Sequence, residues 1–161
     1  KKQADWLNSL NNRRAKDNNF STEEKAHAPL KLCPTLISTA MMSSAITSGC
    51  GFSNGHVLWE AGGMPNKGYG ECLCFTNIRD NPIELWYDSE KPDYDAGYGN
   101  HEGKVEYIKP NSEDQVGHYK LCMSTGTGVG FGQHKNTYAA RFGYADVEFS
   151  SKKRLIPQTN G

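Results

Sequence analysis

Apolar positions recur at helical spacing in the first fifty residues and alternate in the manner of strands further along. Trp6, Leu7, Leu10 and Arg14 share one side of a first helix that Asp5 can cap, and the Asp and Asn residues at 17 to 19 end it. Pro34 suits the first turn of a second helix, in which Leu36, Ala40, Met41, Ser44 and Ala45 form a small-residue stripe before Gly49 stops it. Residues 51 to 70 hold six of the seventeen glycines and read as a loop. Gly70 to Thr76 reads as a strand with Glu71, Leu73 and Phe75 on one face and Cys72 and Cys74 on the other. A third helix from Asn81 to Glu90 carries Ile83, Trp86 and Tyr87, and residues 91 to 117 form a long polar segment. A short helix from Val116 to Met123 leads into a hairpin, with strands Gly126 to Gly132 and Thr137 to Tyr144 joined through Gln133–Asn136. This order predicts an α+β layered domain rather than a doubly wound parallel sheet.

Composition narrows the classes. The 161 residues suffice for one domain, 1–161, with a sizeable core. Lys plus Arg and Asp plus Glu each number 18, so no net field draws the chain to nucleic acid or an anionic membrane. No apolar run approaches the roughly 18 residues that span a bilayer, so no transmembrane segment is expected, and none resembles a signal peptide. The start at Lys1-Lys-Gln-Ala-Asp5 reads as a mature or trimmed terminus. Five cysteines (Cys33, Cys50, Cys72, Cys74 and Cys122) fit a secreted protein with two disulfides and one free thiol; the alternative is five buried thiols in a reducing compartment. Cys72 and Cys74 share a strand face and cannot easily bond each other; one of them can pair with Cys122 or Cys50, and the connectivity stays open. Asn19-Phe20-Ser21 is a lone glycosylation sequon, and Lys152-Lys-Arg154 reads as a solvated tail.

The densest signal lies between Gln115 and Gly132. His118 opens a short apolar helix, and glycines every second residue (Gly126, Gly128, Gly130, Gly132) leave one face of the following strand bare for close packing. That period of two is not a dinucleotide fingerprint, and neither a His-Glu-x-x-His nor a phosphate-binding Gly-x-x-x-x-Gly-Lys motif occurs. His27, His101 and His134 fall in expected loops and read as solvated.

Gly117-His-Tyr119 with its glycine-rich strand resembles the signature of the CAP superfamily (cysteine-rich secretory proteins, antigen 5 and pathogenesis-related 1 proteins). Other landmarks follow in the family's order over about residues 5 to 145. Leu7-Asn-Ser-Leu-Asn-Asn-Arg-Arg14 is similar to its first helix, and Pro29-Leu-Lys-Leu-Cys-Pro-Thr-Leu36 to the entry of its second. Cys50-Gly-Phe52 with His56 resembles a Cys-to-His segment, although the gap of six residues is longer than the family's. Tyr69-Gly-Glu-Cys-Leu73 is similar to Gly-Glu-Asn-Leu, with Cys72 in place of Asn. Glu84 to Tyr94 resembles the third helix, although Trp86 lies four residues before Glu90 where the family has three; Glu84 is the alternative. Lys120-Leu121 stands where the family has Thr-Gln.

The resemblance implies a three-layer α-β-α sandwich on a central antiparallel sheet. It also implies a cleft formed by His56, Glu71, Glu90 and His118. Two imidazoles on one cleft can hold zinc or another divalent transition metal, so His56 and His118 are the candidate ligands, with carboxylates supporting them. The implied function is a secreted binding module for lipids or sterols, acting in defence or host interaction like pathogenesis-related and allergen-like members. One alternative is a metal-dependent hydrolase (protease) using Glu71 or Glu90 as base. The other is an interaction protein with a vestigial cleft that engages a protein partner through its loops.

Overall fold

A computed structural model describes residues 1–50, 56, 68–77, 81–97, 100–101, 104–105 and 116–145. The elements are α1 (Lys2–Lys16), α2 (Glu24–His27), β1 (Lys31–Leu32), α3 (Pro34–Cys50), β2 (Gly70–Phe75), a π-helical turn (Glu84–Asp88), α4 (Lys91–Asp95), β3 (Asn100–His101), β4 (Lys104–Val105), α5 (Gly117–Cys122), β5 (Gly128–His134) and β6 (Thr137–Gly143). The main sheet runs β1-β5-β6-β2. β2, β6 and β5 are antiparallel neighbours, but β1 pairs parallel to β5, so the sheet is mixed rather than wholly antiparallel. The class is α+β, with helices against both faces of the sheet.

Glycine spacing decides how close α3 comes. A Cβ on Gly130 would lie 2.1 Å from Ile37 N, and one on Gly132 would lie 2.3 Å from Ala40 O. The backbone of α3 therefore rests directly on β5. Val129 and Phe131 point to the opposite face, where Phe131 and Tyr138 each meet Trp6 of α1 edge to face at 5.8 Å between ring centroids. Covered on both sides, every residue of β6 is buried.

α3 buries Leu36, Thr39, Ala40, Ser43, Ser44 and Thr47, a stripe at helical spacing with small or hydroxyl side chains. Met41 and Ala45, expected in that stripe, face outward, with Met41 53% exposed. The contact surface is centred on Ala40 and Ser44, and the narrow approach over glycines leaves no room for a methionine. α3 also runs one residue past Gly49, to Cys50.

α1 starts at Lys2, so Asp5 sits inside the first turn rather than at the cap, where its charge still favours the helix N-terminus. Trp6, Leu10 and Arg14 are its buried face. Arg14 is fully buried, and its guanidinium donates to Ala28 O (3.0 Å), Lys25 O (2.9 Å), Cys122 O (2.7 Å) and Ser124 O (2.8 Å). Burial pulls its pKa down from the usual arginine value, but the carbonyls solvate the cation in place of water. Two of those carbonyls lie at the C-terminal end of α5, where a positive charge complements the helix dipole.

Residues 91–117 do not form one featureless segment, because α4 and the paired β3 and β4 lie within it. Their glycines, prolines and short lengths hide them from a periodicity reading. The hairpin turn is tighter than expected, Lys135-Asn136, with Lys135 at φ 54°. Among the described residues, no helix is long and apolar enough to cross a membrane. Residues 152–154 and most of the glycine-rich stretch 51–70 lie outside the described residues.

Gly130→Ala is expected to lower unfolding stability by about 2 kcal/mol, since the methyl group meets backbone that cannot rotate away. Gly49→Ala, with nothing within 4 Å of the added Cβ, is expected to raise it by about 0.5 to 1 kcal/mol in the same urea titrations. Arg14→Lys is expected to cost about 3 kcal/mol, because an ammonium cannot span four carbonyls as the guanidinium fork does.

Candidate functional site

Each histidine of the expected cleft is paired with one of its carboxylates. His56 Nδ1 lies 2.8 Å from Glu71 Oε1, and His118 Nδ1 lies 2.6 Å from Glu90 Oε2. A carboxylate only accepts, so Nδ1–H donates in both pairs and Nε2 of each ring is the atom left to meet a ligand. The His56 side chain is 48% exposed and that of His118 is 39% exposed, whereas Glu71 is buried and Glu90 nearly so.

Glu71 sits in edge strand β2, directly across from Arg141 of β6. Arg141 Nε donates to Glu71 Oε2 while His56 takes Oε1, so both carboxylate oxygens are engaged. Arg141 is fully buried. Burial by itself would raise the Glu71 pKa; the His56 hydrogen bond and the Arg141 charge outweigh it and hold the group below its ordinary value. Sequence reasoning passed over Arg141. The available signal was a charged residue in an otherwise apolar strand, Tyr138-Ala-Ala-Arg-Phe142, which calls for a buried counter-charge.

Glu90 is fixed from the other side. Its Oε1 accepts the backbone N–H groups of His118 (2.9 Å) and Tyr119 (3.3 Å), while Oε2 takes the His118 ring. The carboxylate thus caps the first turn of α5 and orients the imidazole at once. Glu90 follows Trp86 by four residues, and the π-helical turn at Glu84–Asp88, wider than an α-helical turn, leads into it. Trp86 and Tyr87 stay buried, and Glu90 still reaches His118. Glu84 is exposed on the other side of that turn and takes no part.

α5 is held by its own aromatic neighbour. The Tyr119 ring packs against Phe20, Tyr87 and Tyr94 at centroid distances of 6.1, 5.2 and 5.0 Å. Its hydroxyl and that of Tyr87 both donate to the Asp17 carboxylate. Burial first, then the hydrogen bond to Asp17 and its charge, holds both phenols well above their usual pKa. Asn19, the sequon asparagine, donates to Asp95 and to Tyr119 Oη in the same network.

A cavity of about 640 Å³ opens beside the His56–Glu71 pair; neither His118 nor Glu90 is among its lining residues. His56, Glu71 and Gly117 line it together with Tyr69, Gly70, Lys120, Leu121 and Ser124. Ser124 Oγ donates to Leu121 O, so the Tyr69 hydroxyl donates to Ser124 and accepts from the Gly126 N–H. Leu121 fills the space over Gly70, where a Cβ would lie 2.5 Å from its methyl carbon. The walls are thus an apolar ring and leucine, with hydrogen bonds fixing the tyrosine.

Two imidazole Nε2 atoms are the metal-capable donors of the quartet; among the described residues no group of three or more His, Cys, Asp or Glu could hold an ion. Two imidazoles, each bonded through Nδ1 to its own carboxylate, are fewer protein ligands than a closed structural zinc site takes. His27, expected to be solvated, is instead half-buried in α2, with its ring nitrogens 2.9 and 3.1 Å from the Arg14 and Phe20 carbonyls. His134 is exposed at the end of β5. The chain also contains Gly51-Phe-Ser-Asn-Gly55, which has the serine spacing of a nucleophile elbow; those residues lie outside the described ones. No disulfide joins any of the five cysteines in this structure. Comparison with family models, curated proteins and solved structures finds no match.

Arg141→Met is expected to cost about 3 to 5 kcal/mol in urea unfolding, because it strands a buried carboxylate. The double variant Arg141→Met/Glu71→Leu should recover most of that loss. The Glu71 contribution is fully present above its ordinary value of 4.5 and is lost as pH falls through its lower folded value. Stability of the wild type should therefore fall more steeply over this acid range than that of the double variant.

Proposed function

We propose that this chain is a secreted CAP-type binding module that holds an amphiphilic lipid or sterol in the cavity beside one of two carboxylate-oriented histidines. The observation that carries this reading is the pairing of His56 with Glu71 and His118 with Glu90, on elements that pack against each other. Four residues drawn from a resemblance in motif order meet as two bonded pairs. The layered α-β-α arrangement and the secretory origin belong to the same proposal.

The cavity chemistry supports an amphiphile. Tyr69 and Leu121 offer apolar contact to a chain or ring system, while Lys120 and the exposed His56 edge offer a positive or donating end to a carboxylate or hydroxyl. Zinc or a similar ion would be held by His56 and His118 through Nε2 and would supply Lewis acidity to a bound oxygen. Glu71 and Glu90 would keep both rings in the Nδ1–H tautomer.

Binding is favoured over hydrolysis by the state of the carboxylates. Glu71 accepts from His56 and Arg141, and Glu90 accepts from two backbone amides and His118. A general base needs an oxygen facing the attacking water. Both groups here are occupied in orienting histidine.

Zinc titration by calorimetry near neutral pH is expected to show stoichiometric binding in the wild type and none in His56→Ala/His118→Ala. Organic extraction of the purified protein is expected to release a lipid. Binding that persists in the double variant, together with a lipid-free extract, would overturn the proposal.

A further inference from the structure

Two buried thiols join the two halves of the site without belonging to either histidine–carboxylate pair. Cys72 follows Glu71 in β2 and points to the opposite face of the sheet. Cys122 lies one helical turn beyond His118 in α5, on the same helix face. Cys72 Sγ is 4.0 Å from His118 O, the carbonyl one helical turn before Cys122, so the strand thiol rests against the turn of α5 that carries the second thiol. Both residues are 0% exposed and belong to one apolar cluster. The other thiols differ in setting. Cys33 contacts Thr35 at the start of α3, Cys50 is exposed at its far end, and Cys74 lies two residues along β2 from Cys72, toward Phe75.

We propose that Cys72 and Cys122 are oxidised to a disulfide that cross-links β2 to α5. The oxidant is a small disulfide such as oxidised glutathione. One cysteine thiolate attacks it, forms a mixed disulfide and releases one small thiol. The second cysteine thiolate then attacks the protein sulfur of that mixed disulfide and releases the other small thiol. The two protons lost by the protein thiols are taken up by the two small thiolates as they leave, and the two electrons reduce the small disulfide, so the exchange balances.

Exchange takes place while the chain is folding or locally open, because neither thiol is accessible in the closed structure. Once formed, the bond lies in the same dry cluster and is shielded from reductant. Its placement gives it a purpose beyond stability. It would tie the strand that carries Glu71 to the helix that carries His118, and so fix the separation of the two pairs. The inference stands whether or not the pairs bind metal.

The test is peptide mapping of protein refolded with oxidised and reduced glutathione, alkylated and digested with trypsin without reduction. The expected product links Gly68–Arg79 to Leu121–Lys135. It should persist in Cys74→Ser and vanish in both Cys72→Ser and Cys122→Ser. Reduction in denaturant followed by alkylation should separate the two peptides. Against an alkylated Cys72→Ala/Cys122→Ala variant, the cross-linked protein should melt roughly 10 °C higher. Five alkylated thiols in the refolded wild type would overturn the proposal. A linked peptide that survives in Cys72→Ser would overturn it equally, since it would assign the bridge to Cys74. If the serine variants fail to fold, the wild-type and Cys74→Ser maps still decide the matter.

Discussion

The Arg14 guanidinium, buried without a carboxylate partner among the described residues, is the contact on which the arrangement of this domain turns. It reaches carbonyls from the end of α2 and from the end of α5, segments about a hundred residues apart in the chain. A buried cation tolerates few geometries: each carbonyl must stay within reach or the charge is left poorly solvated. That requirement fixes where α5 ends, and so where His118 begins it. The Tyr119 ring and Asp17 then settle the helix about its axis. The proposed cleft thus inherits its geometry from a residue that contributes no atom to it.

A second constraint works through absent side chains. Glycines on alternate positions of β5 let α3 lie on bare backbone, which brings Ala40 and Leu73 into one small cluster on that side of the sheet. The opposite face carries the large residues, Trp6, Phe131, Tyr138 and Trp86. Glu71 lies on the glycine side and Cys72 on the aromatic side of the same strand, so alternation along β2 sends one residue to the cavity and the next into the core.

Much of this was legible because it is periodic. The period of two from Gly126 to Gly132 announced a close-packed strand, and Trp6, Leu10 and Arg14 announced the inner face of α1. The alternation of Glu71 and Cys72 was readable for the same reason. Spacing put Arg14 on the inner face of α1 but not its carbonyl partners, and the lone charge of Arg141 in an apolar strand signalled burial without naming Glu71 as its counter-charge. α4 and the β3–β4 pair escaped because elements of two to five residues have too few positions to show a period. Glu71 with His56 and Glu90 with His118 could be named as a set, but their division into pairs depends on which face of β2 and which turn of α5 each occupies.

The π-helical turn at Glu84–Asp88 separates chain length from spatial position. In an ordinary α-helix, one inserted residue would rotate everything downstream by about 100° and carry Glu90 away from the His118 ring. The wider turn at Glu84–Asp88 holds more residues per turn, and from it the Glu90 carboxylate reaches the His118 ring. In this part of the molecule, a count of residues along the chain does not by itself give the direction in which a side chain points.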